Sequence, residues 1–184
     1  MKKIYILLSR TNTVPARIIR TFAKGEFSHV SVSLFPRTDC FYSYARRHIN
    51  IPLFAGFVSE DIHTKVFARY PHAHCALFSI EVSDEGYERA KKLIRIFRNN
   101  RKKATYNFLG AATVKMGISL KRKYKFTCSQ FAAFLLDYTG DVQLPKDPYL
   151  MLPNDFLTIP NIDILYDGEL KDCVIPQKRK KNEA

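Results

Sequence analysis

The stretch Phe126-Thr127-Cys128-Ser129-Gln130-Phe131-Ala132-Ala133-Phe134-Leu135-Leu136 reads as the opening of an amphipathic helix. Phe131, Ala132, Leu135 and Leu136 recur at helical spacing and share an inner face. Thr127 is a residue type whose side-chain oxygen caps free N–H groups at a helix start. Gly140 supplies the stop, because glycine accepts the left-handed conformation that ends a helix. Cys128 then falls in the first turn, where unpaired N–H groups and the positive dipole end lower a thiol's pKa. A thiolate is the nucleophile that acyl transfer needs, and Lys125 adds positive charge nearby. A buried structural cysteine is the competing reading, since free cysteine is often a small core residue.

Working outward, the segments before this helix read as strands. Ile4 to Ser9 is a short apolar run typical of a buried strand. Residues 13 to 23 suggest a helix, with Thr13 as cap, Pro15 in its first turn and Ile18, Ile19 and Phe22 as its stripe. His29 to Phe35 alternates Val30, Val32 and Leu34 against His29, Ser31 and Ser33, a half-buried strand. Pro36 to Asp39 is a turn, and Cys40 to Ala45 completes a hairpin. Pro52 to Gly56 reads as loop, and His63 to Arg69 and Cys75 to Val82 as strands. Ser83 opens a helix to about Asn99, Phe108 to Met116 gives a second, and Ile162 to Tyr166 closes the pattern as a strand. The expectation is an α+β fold with a small, mostly antiparallel sheet packed against helices.

With 184 residues and 46% hydrophobic content, the chain can build one core without staples. One domain over residues 1–176 is expected, followed by a basic, disordered tail at 177–184. Thirty Lys and Arg against 17 Asp and Glu leave +13, a charge that draws a protein to polyanions. The cations concentrate at Lys91 to Lys103, at Lys121 to Lys125 and in the tail; a solvated surface is the plain reading. Four cysteines show no pairing motif. The apolar run after Lys2-Lys3 stops at Arg10, too short for a signal peptide. No stretch approaches a membrane span, so a cytoplasmic protein with free thiols is expected.

His29 is the second chemical candidate. It opens a strand on the face opposite Val30, and a cysteine and histidine distant in sequence are how thiol hydrolases are built. The segments Ser28-His29-Val30-Ser31-Val32-Ser33-Leu34 and Phe126 to Leu136 together resemble the His strand and Cys helix of the circularly permuted NlpC/P60 (papain-like) cysteine peptidases and amidases, of the YiiX-like kind. In that family His precedes Cys, as here. Ser9-Arg10, the loop Asn50 to Val58 and Leu152-Pro153-Asn154-Asp155-Phe156 extend the likeness over most of residues 1 to 170. The resemblance implies a papain-like fold, Cys128 as nucleophile and His29 as its base. It also implies a third polar residue on the strand beside the His strand. Ser43 is the nearest on that strand, with Tyr42, Tyr44 and Glu60 in reserve; a serine departs from the His, Asn or acid such sites often use.

The Cys128 backbone N–H is a natural oxyanion donor at a helix start; Ser28 and Thr127 are close in sequence but equally suited to structural roles. His63, His72, His74 and Cys75 include a His-x-His-Cys string, but no second pair at zinc spacing accompanies it, so no metal and no cofactor are expected. Cys40, Cys75 and Cys173 sit in apolar surroundings and are expected to be inert. No phosphate-binding glycine motif and no specific nucleic-acid motif are present. The leading function is therefore a thiol hydrolase or acyltransferase acting on a peptide, an isopeptide or an acyl lipid. The alternatives are a degenerate relative without turnover, or a basic protein that binds nucleic acid or anionic membrane surfaces.

Overall fold

In a computed structural model, which describes residues 1–10, 25–48 and 51–175 (side chains of 52, 53, 65, 66 and 115 excepted), the strand-then-helix pattern becomes a mixed α+β architecture. The described elements run β1 (Lys2–Ser9), β2 (His29–Ser33), β3 (Phe41–His48), β4 (Ile51–Glu60), α1 (Lys65–Ala68), β5 (His74–Val82), α2 (Asp84–Asn99), β6 (Thr105–Tyr106), α3 (Phe108–Thr113), β7 (Lys125–Phe126), α4 (Cys128–Thr139) and β8 (Ile162–Glu169). Short 3-10 turns add to these. One sheet of eight strands takes the order β7-β6-β4-β3-β2-β1-β5-β8. Only β6 and β7 pair parallel; the other neighbours are antiparallel. The sheet is larger than the small one expected, because β4, β6 and β7 extend one side.

β1 sits inside the sheet, between β2 and β5. Its side chains alternate between two cores, as a pleated strand requires. Ile4, Ile6 and Leu8 join Val30, Val32, Tyr44 and Phe57 in the larger core. Leu93 and Phe97 of α2 and Phe131, Leu135 and Leu136 of α4 cover that face. Leu7 joins Phe41, Phe67, Cys75 and Cys173 in the smaller core. Each fully buried Leu or Phe of this kind contributes about 1.5–3 kcal/mol of transfer free energy.

Two local readings are corrected. Pro52 to Gly56 is not loop but part of β4, which pairs with β3 from Phe41↔Glu60 to His48↔Ile51. Among the described residues β6 reaches β4 only at Gly56, so Pro52 lies where β4 is an edge, and an edge tolerates a missing N–H. His63 to Arg69 is not a strand. The Asp61 carboxylate accepts from the His63 N–H at 2.9 Å and its carbonyl from the Thr64 N–H at 3.2 Å, a side-chain-driven turn that leads into α1. The helix expected at 13–23 and the tail at 177–184 lie outside the described residues.

Candidate active site

Cys128 begins α4, and the first turn of that helix is held by a reciprocal cap. The Gln130 N–H donates to Thr127 Oγ1 at 3.2 Å, and the Thr127 N–H donates to Gln130 Oε1 at 3.0 Å. This is a capping box built from Thr-x-x-Gln. The same Gln130 amide donates to the Tyr149 carbonyl at 2.8 Å and accepts from Asn107 Nδ2 at 3.3 Å. Three chain segments therefore fix the turn that carries the thiol, which is 3% exposed. As the first residue of the helix, Cys128 has a backbone N–H with no acceptor inside the helix.

His29 opens β2 opposite Ser9. Its Nε2 donates to Glu60, 2.9 Å from Oε2 and 3.1 Å from Oε1. The two side chains are only 15% and 12% exposed, and the Phe67 ring stands 6.0 Å from the imidazole. Burial by itself pulls the His29 pKa down. The Glu60 charge, a hydrogen bond with the Cys128 thiol and the Glu60 hydrogen bond outweigh it, and the net value lies well above 6.5. With Nε2 on Glu60, Nδ1 is the nitrogen left for the sulfur. Glu60 thus holds the imidazole through Nε2, and the influence of Cys128 on the same ring puts the thiol in its neighbourhood.

Ser43, expected as the third member, is placed in the sheet beside β2. Its hydroxyl is fully buried and donates to the Val30 carbonyl at 2.6 Å, so its one donor is spent on the sheet, while Glu60 contacts the imidazole. The two tyrosines held in reserve are also engaged elsewhere. Tyr44 donates to the Tyr124 carbonyl at 3.1 Å, and Tyr42 accepts from the Cys40 thiol at 3.4 Å. Glu60 escaped first place because it ends β4, two strands from β2, beyond a segment that reads as loop.

Tyr106 went unremarked in the sequence. It pairs with Phe126, two residues before the thiol. Burial, followed by the influence of Cys128, pushes its phenol well above 10, so it stays an O–H donor. A two-residue strand has no periodicity to announce it. Ser28 and Thr127 serve the fold: Ser28 Oγ donates to the Ser9 carbonyl at 3.4 Å, and Thr127 Oγ1 caps α4 and contacts Ser129 Oγ at 3.2 Å.

The histidines outside the site go separate ways. His63 contacts Thr38 Oγ1 at 3.1 Å and His72 pairs with Glu169 at 3.0 Å. His74 bridges Glu26 and Asp167 at 2.7 and 2.6 Å. No group of three or more His, Cys, Asp or Glu among the described residues is arranged to hold a metal. Cys75 and Cys173 are buried together, and their mutual hydrogen bond with burial pushes the Cys75 thiol up. No helix among the described residues is long and apolar enough to cross a membrane. Compared with known protein families and with curated proteins, the chain matches none.

Proposed function

We propose that this protein is a thiol hydrolase or acyltransferase of the papain-like, permuted NlpC/P60 type, acting on an amide or ester bond. The observation that carries this reading is the 2.9 Å contact of His29 Nε2 with the Glu60 carboxylate, with Cys128 near enough to raise the pKa of the same imidazole although the three come from elements far apart in sequence. The order of histidine strand before cysteine helix and the packing of that helix on an antiparallel sheet agree with it.

In the proposed reaction His29 holds the proton of the Cys128 thiol as an imidazolium, and Glu60 balances that charge. The sulfur anion adds to the carbonyl carbon. The oxyanion is met by the Cys128 backbone N–H and by the Tyr106 phenol. Collapse expels the amine or alcohol, which takes the proton from His29 and leaves a thioester on Cys128. Neutral His29 then removes a proton from water, or from an acceptor alcohol or amine, and the thioester is released as acid, ester or amide.

The test uses an activated acyl ester and intact mass spectrometry. A burst of leaving group with one acyl group on Cys128 is expected, absent in Cys128→Ala and much slower in His29→Ala. An unmodified Cys128, or a rate indifferent to His29, refutes the catalytic reading and leaves a relative without turnover.

A further inference from the structure

Residues 101 to 125 contain no Asp or Glu. Within them an apolar turn, α3 and the 3-10 turn Val114–Met116, is bracketed by two cation clusters. Arg101, Lys102 and Lys103 precede it; Lys121, Arg122 and Lys123 follow. Single exposed apolar residues are ordinary, but several within one short segment are not. Here Phe108 is 48% exposed, Leu109 60%, Met116 72% and Ile118 47%. α3 buries only Gly110, which approaches Asn107 so closely that a Cβ there would lie 2.1 Å from its side-chain nitrogen. Gly110 is the one buried residue of the helix, and Phe108 and Leu109 stay about half exposed or more.

The neighbouring hairpin adds to the same end of the sheet. β6 is antiparallel to β4 at Gly56↔Thr105, so the chain beyond Tyr106 runs toward Phe54 and Ile51, themselves 48% and 53% exposed. Arg47 ties the two segments by donating to the Ala104 carbonyl at 2.6 Å and lies over the Phe54 ring at 5.5 Å.

We propose that this surface docks on an anionic lipid bilayer, with Phe108, Leu109, Met116 and Ile118 inserted at the headgroup level and the flanking cations on lipid phosphates and carboxylates. A bilayer interface is the partner that takes apolar side chains and cations together. Nucleic acid offers phosphates to the cations, but it leaves Leu109, Met116 and Ile118 in water. Lys121 also pairs with Asp147 at 3.5 Å, so the charge rests chiefly on Arg101, Lys102, Lys103, Arg122 and Lys123. The surface adjoins the candidate site: the Phe108 ring packs on Tyr106 at 4.9 Å, and Asn107 caps α3 while bonding Gln130. The docking itself does not depend on catalysis.

Co-sedimentation of the full chain with phosphatidylcholine vesicles, with and without phosphatidylserine, tests it. Binding to the anionic vesicles alone is expected. Leu109→Ser with Met116→Ser, which changes no charge, should lower the partition at least about tenfold through lost apolar insertion. Lys102→Gln, Lys103→Gln and Lys123→Gln together should lower it roughly a hundredfold, at about fivefold per cation. Thermal melts equal to wild type confirm that these surface variants fold. No preference for anionic vesicles overturns the proposal. So does vesicle binding that survives the two apolar changes, or polyuridylate binding tighter than vesicle binding and equally indifferent to them; those results mark a purely cationic surface.

Discussion

Replacing Glu60 by Gln keeps the shape and an acceptor oxygen beside His29 but removes the charge. The imidazole nitrogen lies 2.9 and 3.1 Å from the two carboxylate oxygens, which puts the charge centres about 4 Å apart. At an effective dielectric near 20, unit charges at that separation attract by about 4 kcal/mol. The pair is screened little, since its side chains are 15% and 12% exposed. If only about a third of that attraction is lost on substitution, the change is about 1.4 kcal/mol, a factor of ten in the imidazolium population. On the proposed reading the imidazolium stabilises the reactive anionic sulfur. Iodoacetamide alkylation of Cys128, followed by peptide mass spectrometry across pH, reads this directly. Glu60→Gln should slow alkylation about tenfold or more on the acid side of neutrality, where the imidazolium matters, and converge with wild type in alkali. Folding raises the His29 pKa above 6.5, so the pair's contribution to stability is complete below that value and is lost as pH rises through the raised one. The Tm gap between wild type and Glu60→Gln should therefore narrow across that window. Identical alkylation profiles for the two proteins would refute the reasoning.

Three further outcomes are expected. Ser43→Ala should leave the alkylation profile of Cys128 unchanged and cost about 1 kcal/mol in urea unfolding, because its hydroxyl bonds the sheet and not the imidazole. Tyr106→Phe should lower kcat on an activated ester roughly a hundredfold with little change in KM, the signature of a lost transition-state donor; an unchanged kcat removes Tyr106 from the oxyanion site. Thr127→Ala breaks the capping box at the thiol's own turn and should cost about 1 kcal/mol, read as a lower Tm.

Local chemistry made much of this protein legible in its sequence. The helical period and cap of Thr127 to Gly140 depend on neighbours within a few residues, and α4 follows them from Cys128 to Thr139 with Gly140 left-handed at φ 77°. The alternation at His29 to Ser33 and the apolar run at Ile4 to Ser9 carry the same kind of signal, since a strand's two faces show in its own residues. Tertiary structure decided what depends on distant partners. The Pro52 segment becomes strand because β3 pairs with it, and the stretch after Asp61 turns into α1 because the Asp61 carboxylate takes the His63 N–H and its carbonyl the Thr64 N–H. Glu60 and Tyr106 reach the site only through sheet order, which sets β4 two strands from β2 and β6 beside β7. A side chain at the end of one strand can meet a histidine at the start of another only once the intervening strands are in register, and no local pattern records that register.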